Sequence, residues 1–160
     1  IQRTLEELRQ PKLVVAPALQ RIKSPFDTLI VLAALDRQGA VALETVHQIF
    51  PHNDCPFSLE LLCALLNSSL ARWYFHFIAF QRPARSVECD PTHIGRMPLP
   101  HRPKATLVTQ AERLTRRLLK AELPNKYLLR GQVNEYDKLD ELVCELYGLS
   151  DEERAEVQRA

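Results

Sequence analysis

Residues 59–77, LELLCALLNSSLARWYFHF, constrain the chain more than any other stretch. At about 100° per residue, Leu62, Cys63, Leu66, Leu70, Trp73, Tyr74 and Phe77 fall on one side of a helix, and Leu61 and Leu65 extend the apolar surface around it. A helix that apolar is buried. Its start is written locally: Ser58 caps the first turn, and Phe57 with Leu62 forms a hydrophobic staple. Three poor helix formers, Asn67-Ser68-Ser69, interrupt it, and they read either as ordinary surface polarity or as a small polar stripe where another backbone comes close.

The chain of 160 residues is 46% hydrophobic and 26% charged, which fits one globular domain with a proper core and excludes a disordered segment. No apolar run reaches membrane-spanning length. The four cysteines, at 55, 63, 89 and 144, form no CxxC, so reduced thiols in a cytoplasmic protein are expected. The first residue is Ile1 rather than Met, which reads as a piece of a longer polypeptide. The formal charge of +1 hides an asymmetry: residues 101–130 hold eight Lys or Arg against two acids, and residues 131–160 hold three against nine.

In chain order, residues 1–9 predict a short helix ended by Pro11. Residues 12–16 predict a buried strand closed by Pro17, followed by a polar loop over Gln20, Arg21, Ile22, Lys23, Ser24 and Pro25. Residues 28–35 predict a second strand, and Asp36-Arg37-Gln38-Gly39 a turn in which Gly39 takes positive φ. Residues 40–50 are then expected to return as its hairpin partner. After the long helix, residues 81–90 predict an exposed loop, and residues 91–95 a single helical turn. Residues 104–122 and 132–147 form two amphipathic helices of opposite charge. Gly148 ends the second in the left-handed region, and Ser150 with Glu153 forms a capping box for a last short helix. The fold class expected is α+β: a mixed or antiparallel sheet packed on the central helix, then a helical C-terminal part.

No catalytic motif emerges. The four glycines are isolated, so there is no P-loop and no dinucleotide fingerprint, and GxSxG and HExxH are absent. One metal arrangement is conceivable: His52 with Cys55 and Cys89 with His93 each have the spacing of half a zinc site, provided that two loops meet. The metal site is not the expected outcome. Basic and amide side chains in loops point elsewhere, because Arg reads guanine and Gln reads adenine bidentately in the major groove. Gln20, Arg21 and Lys23 in one loop, and Gln81, Arg82 and Arg85 in another, are the candidate DNA contacts.

Four separated stretches carry a resemblance: residues 11–15 (PKLVV), 62–68 (LCALLNS), 94–100 (IGRMPLP) and 139–149 (LDELVCELYGL). Together they resemble the TaqI-like C-terminal specificity domain, the target-recognition region of adenine-N6 DNA methyltransferases and of type IIG restriction-modification enzymes, over about residues 11–153. The resemblance implies a non-catalytic module that docks in the major groove of double-stranded DNA and selects the sequence to be methylated or cut. It also implies a preceding methyltransferase domain in the same polypeptide that holds the catalytic motif and S-adenosylmethionine, with no cofactor in this stretch. The expected organisation is a linker or helix over 1–10, a recognition domain over 11–103 and C-terminal helices over 104–160. A rival reading makes the chain a scaffold whose two charged helices dock a partner subunit.

Overall fold

The computed structural model describes residues 5–23, 27–42, 46–120 and 134–159. Ser24 and Pro25 of the expected loop, Leu43 and Thr45 of the expected third strand, and the inner ends of the two charged helices lie outside them. The chain is mixed α+β: two small antiparallel sheets packed with helices, followed by C-terminal helices. A single hairpin runs through both sheets. Its first arm is β1 (Lys12–Val15) and β2 (Ala18–Ile22), and its second arm is β3 (Thr28–Ile30) and β4 (Ala33–Asp36). Val15 pairs with Ala33 and Gln20 with Ile30, so between these pairs the first arm advances five residues and the second only three. Pro17 lies in the longer side. Having no N–H for a ladder, it breaks the pairing, and each half recruits its own third strand. One sheet has the order β4-β1-β5, with β5 (His47–Ile49), and the other β3-β2-β6, with β6 (Val87–Glu88). The crossing keeps backbone partners: Ala16 N–H donates to Leu32 O at 2.9 Å, and Cys89 N–H to Pro17 O at 2.7 Å.

Three local expectations are corrected here. Residues 28–35 are not one strand but β3 and β4, parted at Val31-Leu32. The segment over 40–50 is not the partner of that strand, because β5 pairs with the opposite edge of β1. Gln20 and Arg21 are in β2 rather than in a loop. A misread turn underlies the second. Gly39 does take positive φ (73°), yet it serves a close approach to α1 (Leu5–Leu8) and not a hairpin: a Cβ there would lie 2.6 Å from the Arg9 carbonyl oxygen.

The central helix is also divided. α2 (Leu59–Asn67) starts at Ser58, whose hydroxyl accepts Leu61 N–H at 3.2 Å. At Ser68 the backbone becomes extended (φ −76°, ψ 161°), and α3 (Ser69–Trp73) begins, running into wide π-type turns over Tyr74–Ala79. Ser68 caps α3 by accepting Ala71 N–H at 3.1 Å, and Ser69 N–H donates to the Asp140 carboxylate at 2.8 Å. The unbroken helix is thus corrected, because Ser favours a cap over a helix interior. The expected backbone approach is present: Asn67 accepts from Ala33 N–H at 3.2 Å and donates to Ala33 O at 2.8 Å.

α2 lies between the first sheet and two C-terminal helices, α5 (Ala105–Lys120) and α6 (Asn134–Tyr147). Leu13, Val15, Leu61, Leu65, Leu114, Leu118 and Val143 belong to one core cluster, so both sides of residue 103 contribute to it. α4 (Pro91–Gly95) is the expected single turn. Gly148 (φ 70°) ends α6, with Leu149 N–H on Cys144 O and Gly148 N–H on Glu145 O, and Ser150 and Glu153 form the capping box of α7 (Asp151–Gln158). Tyr147 Oη donates to Pro98 O at 2.8 Å, tying the end of α6 to residues 94–100.

Two buried charges are matched. Lys12 is 0% exposed, with Nζ 2.7 Å from Asp36 and 2.8 Å from Leu8 O. Glu60, 5% exposed, receives Arg37 and, at 3.1 Å, Arg116, which joins the turn after β4 to α2 and α5.

Replacing Asn67 by Ala leaves the Ala33 amide and carbonyl without their partner and is expected to lower unfolding stability by about 1–3 kcal/mol, measured by urea denaturation. Acid sensitivity follows from the carboxylates. The Lys12 ammonium holds Asp36 below its usual range, and bonds from Thr92 and His93 bring Asp90 down to about 2. The folded chain therefore binds fewer protons than the unfolded one. This stability is complete above about pH 5 and is lost as pH falls through the folded values toward about 2. Urea midpoints measured across this window should decline with pH, and Asp36→Asn should decline less steeply because Asn does not titrate.

Candidate nucleic-acid interface

The six candidate residues lie on two segments that the second sheet brings side by side. β2 pairs with β6, aligning Ala18 with Glu88 and Leu19 with Val87, so the loop over 81–86 approaches β6 alongside β2. Leu19 is buried while Gln20 is exposed, the alternation of a strand with one covered face. Lys23 is exposed just beyond the strand, and Gln81, Arg82 and Arg85 are exposed in the loop. The two segments thus adjoin, meeting where Arg21 bonds Ala84 and Ser86.

Arg21 is different from the rest. Its side chain is only 17% exposed, and its guanidinium meets Asp27 through Nε–Oδ1 at 2.7 Å and Nη2–Oδ2 at 2.5 Å. Its Nη1 donates to Ala84 O, and its backbone N–H donates to Ser86 Oγ at 3.1 Å. The hydrogen bonds from Arg21 hold the Asp27 carboxyl below its usual range, against an opposing effect of burial. The pair is therefore ionised at neutral pH.

The loop backbone is unusual where it leaves the π-type turns. Gln81 and Arg82 have φ of 50° and 59°, in the left-handed region that side-chain-bearing residues rarely adopt. Arg82 N–H donates to His76 O at 2.7 Å, and its guanidinium lies over the Phe77 ring, 5.0 Å from the centroid. Below, His76 is 2% exposed with Nδ1 unpartnered among the described residues. Burial lowers its pKa and Asp27 opposes this, but Arg21 and Arg82 add to the lowering, so the ring is neutral at pH 7.

Sequence reasoning missed Asp27, Ala84, Ser86, Phe77 and His76. Asp27 had a signal: in an antiparallel pair aligning Arg21 with Leu29, a carboxylate just ahead of β3 comes within reach of that arginine. His76 and Phe77 depend on the π-type turns and Ala84 and Ser86 on the β2–β6 pairing, and the sequence carries no signal for either.

The sequence model of the TaqI-like C-terminal specificity domain matches residues 2–99. The chain belongs to that family. The family implies DNA target recognition in a methyltransferase or restriction-modification context, and the matched region contains both segments of the basic surface. The stretch over 139–149 lies beyond the match. No curated protein shows significant similarity to the chain. No helix among the described residues is long and apolar enough to cross a membrane.

Two further expectations meet the geometry. The cysteine and histidine pairs do not converge: among the described residues no three His, Cys, Asp or Glu side chains group as metal ligands. His52 is exposed and bonded to Asp54, Cys89 is 0% exposed, and His93 packs on Phe80 at 4.8 Å. The basic stripe of α5 meets carboxylates of its own chain, with Arg116 on Glu60 and Glu112 and Arg117 on Glu135 of α6 at 2.5 Å.

Burial pushes the Cys89 thiol up to about 11, so at pH 8 about one in a thousand is thiolate. Iodoacetamide at that pH should label Cys55 of the native chain and leave Cys89 unmodified until denaturant is added, as read by peptide mass mapping.

Proposed function

We propose that the chain is the DNA target-recognition module of an adenine-N6 methyltransferase of restriction-modification type, non-catalytic by itself and cytoplasmic. In this reading the recognition part spans 11–103, with helices over 104–160 supporting it and residues 1–10 leading from a methyltransferase domain that binds S-adenosylmethionine. The observation that carries it is that β2 and the 81–86 loop, the two segments bearing the exposed basic and amide side chains, adjoin in a chain of the TaqI-like specificity family.

The division of labour follows from exposure. Gln20, Gln81 and Arg85 have the donors and acceptors to meet base edges in the major groove. Lys23 and Arg82 supply charge for phosphates, which provides affinity and registers the protein on the duplex. Near-zero net charge does not weigh against this, because the acids concentrate in the last thirty residues, away from the sequence of both loops. The rival docking role for the charged helices loses support from the internal pairing of Arg116 and Arg117.

The test is selection of the chain on a pool of random-sequence duplexes at about 50 mM salt, where phosphate contacts are strongest. Enrichment of one short sequence is expected, with affinity falling about a hundredfold between 50 and 200 mM salt. Arg85→Ala should cost about 1–3 kcal/mol on the enriched sequence and much less on random duplex, by fluorescence anisotropy. Retention no greater than that of an unrelated protein of the same net charge would overturn the reading.

A further inference from the structure

An arginine that reads guanine needs its fork free for N7 and O6. The Arg21 fork is occupied. Nε and Nη2 face the two oxygens of Asp27 in bidentate geometry, Nη1 reaches the Ala84 carbonyl, and the backbone N–H of the same residue holds Ser86 Oγ. One residue of β2 thus grips the loop twice, by side chain and by backbone, while Asp27, just ahead of β3, fixes the plane of the guanidinium.

Resting on the DNA-recognition reading above, we propose that Arg21 and Asp27 are positioning residues that hold the 81–86 loop in the conformation presenting Gln81 and Arg85 to the bases, and that neither reads a base. The strength of the ion pair is not the point, since partly exposed pairs contribute little to stability. Its planar, two-bond geometry is: it leaves Nη1 aimed at one carbonyl of the loop. A Lys at 21 would keep the charge and lose the fork.

Asp27 separates this role from its competitors. It is an exposed carboxylate beside a basic surface, so by charge alone its removal strengthens attraction to DNA phosphates. If Arg21 read a base, removing Asp27 would free the reader. A positioning role makes the loss of an acid harmful to sequence discrimination and raises exchange in the loop together, whereas a carboxylate that accepted from cytosine N4 would leave the loop exchange unaltered.

The experiment compares Asp27→Ala, Asp27→Glu and Arg21→Lys with the unchanged chain on the duplex enriched by selection and on random duplex, alongside amide exchange over residues 82–89. Asp27→Ala and Arg21→Lys should each lower the specific-to-random affinity ratio by about tenfold or more, with affinity for random duplex unchanged or raised. Exchange over 82–89 should rise in both, exchange in α2 and the melting temperature should not move, and Asp27→Glu should recover most of the ratio. A ratio kept by Asp27→Ala and lost by Arg21→Lys makes Arg21 a base reader and overturns the proposal. Unaltered loop exchange in both variants overturns it whatever the DNA result. An unchanged chain without sequence preference instead defeats the DNA-recognition reading, and with it the specificity role, while the exchange arm separately shows whether the grip exists.

Discussion

The contact on which the rest of the structure depends is the grip of Asn67 on the backbone of Ala33. Ala33 is where the second arm of the hairpin enters its second sheet, and Asn67 is the last residue of α2. One side-chain amide satisfies both the N–H and the C=O of the strand residue, and its Nδ2 also reaches Cys63 O at 2.8 Å. That fixes how far α2 slides along the sheet. Because Ser68 breaks the helix one residue later, it also fixes where α3 departs and so where the π-type turns deliver the 81–86 loop. The β2 side of the surface is set from the same place, since the arm containing Ala33 continues backward through Val31-Leu32 into β3, the partner of β2.

Charge organisation follows the same economy. Buried Lys12 and Glu60 are each tied to groups from other segments, which makes them registers between elements rather than sources of large stability. The opposing charges of α5 and α6 serve each other through Arg117 and Glu135. The cations left in the open around β2 and the 81–86 loop are few. On the proposed reading they act on a polyanion from two adjoining segments, with Asp27 as a local counterweight to Arg21.

How much of this was legible depended on whether the signal was local. The caps at Ser58 and Ser150 and the end of α6 at Gly148 were readable, because each rests on side-chain chemistry within a few residues of sequence. The buried face of residues 59–77 was not: Leu62, Leu70, Trp73, Tyr74 and Phe77 are only half-buried, while Leu61, Leu65, Ala71 and Phe75 fill the core, because α2 is packed between a sheet and two helices and the break at Ser68 resets the helical phase. The partner of Asn67 lies 34 residues away. The hairpin was misplaced because Asp36-Arg37-Gln38-Gly39 has turn chemistry and the true break at Pro17 looks like a strand end. Which strands pair is a non-local matter, and β5 and β6, of three and two residues, are too short to announce themselves. The candidate residues were chosen by type alone; that their two segments adjoin, and that Arg21 is spoken for, needed the β2–β6 pairing.

The left-handed pair Gln81-Arg82 shows why the loop is built as it is. Each non-glycine residue in that region costs on the order of 1 kcal/mol, so two in succession persist only where neighbours enforce them. The neighbours are the His76 carbonyl, the Phe77 ring and, further along, Arg21. Widened helical turns make the first two accessible, since the π-type stretch ends just ahead of Gln81. A loop strained and held in this way gives up less conformational entropy when it meets a rigid groove than a free loop would. Preorganisation of this kind is worth most where a few side chains must discriminate while only a handful of cations attract. On the proposed DNA-recognition reading, the surface around β2 has that balance, and fastening the loop to the strand serves it.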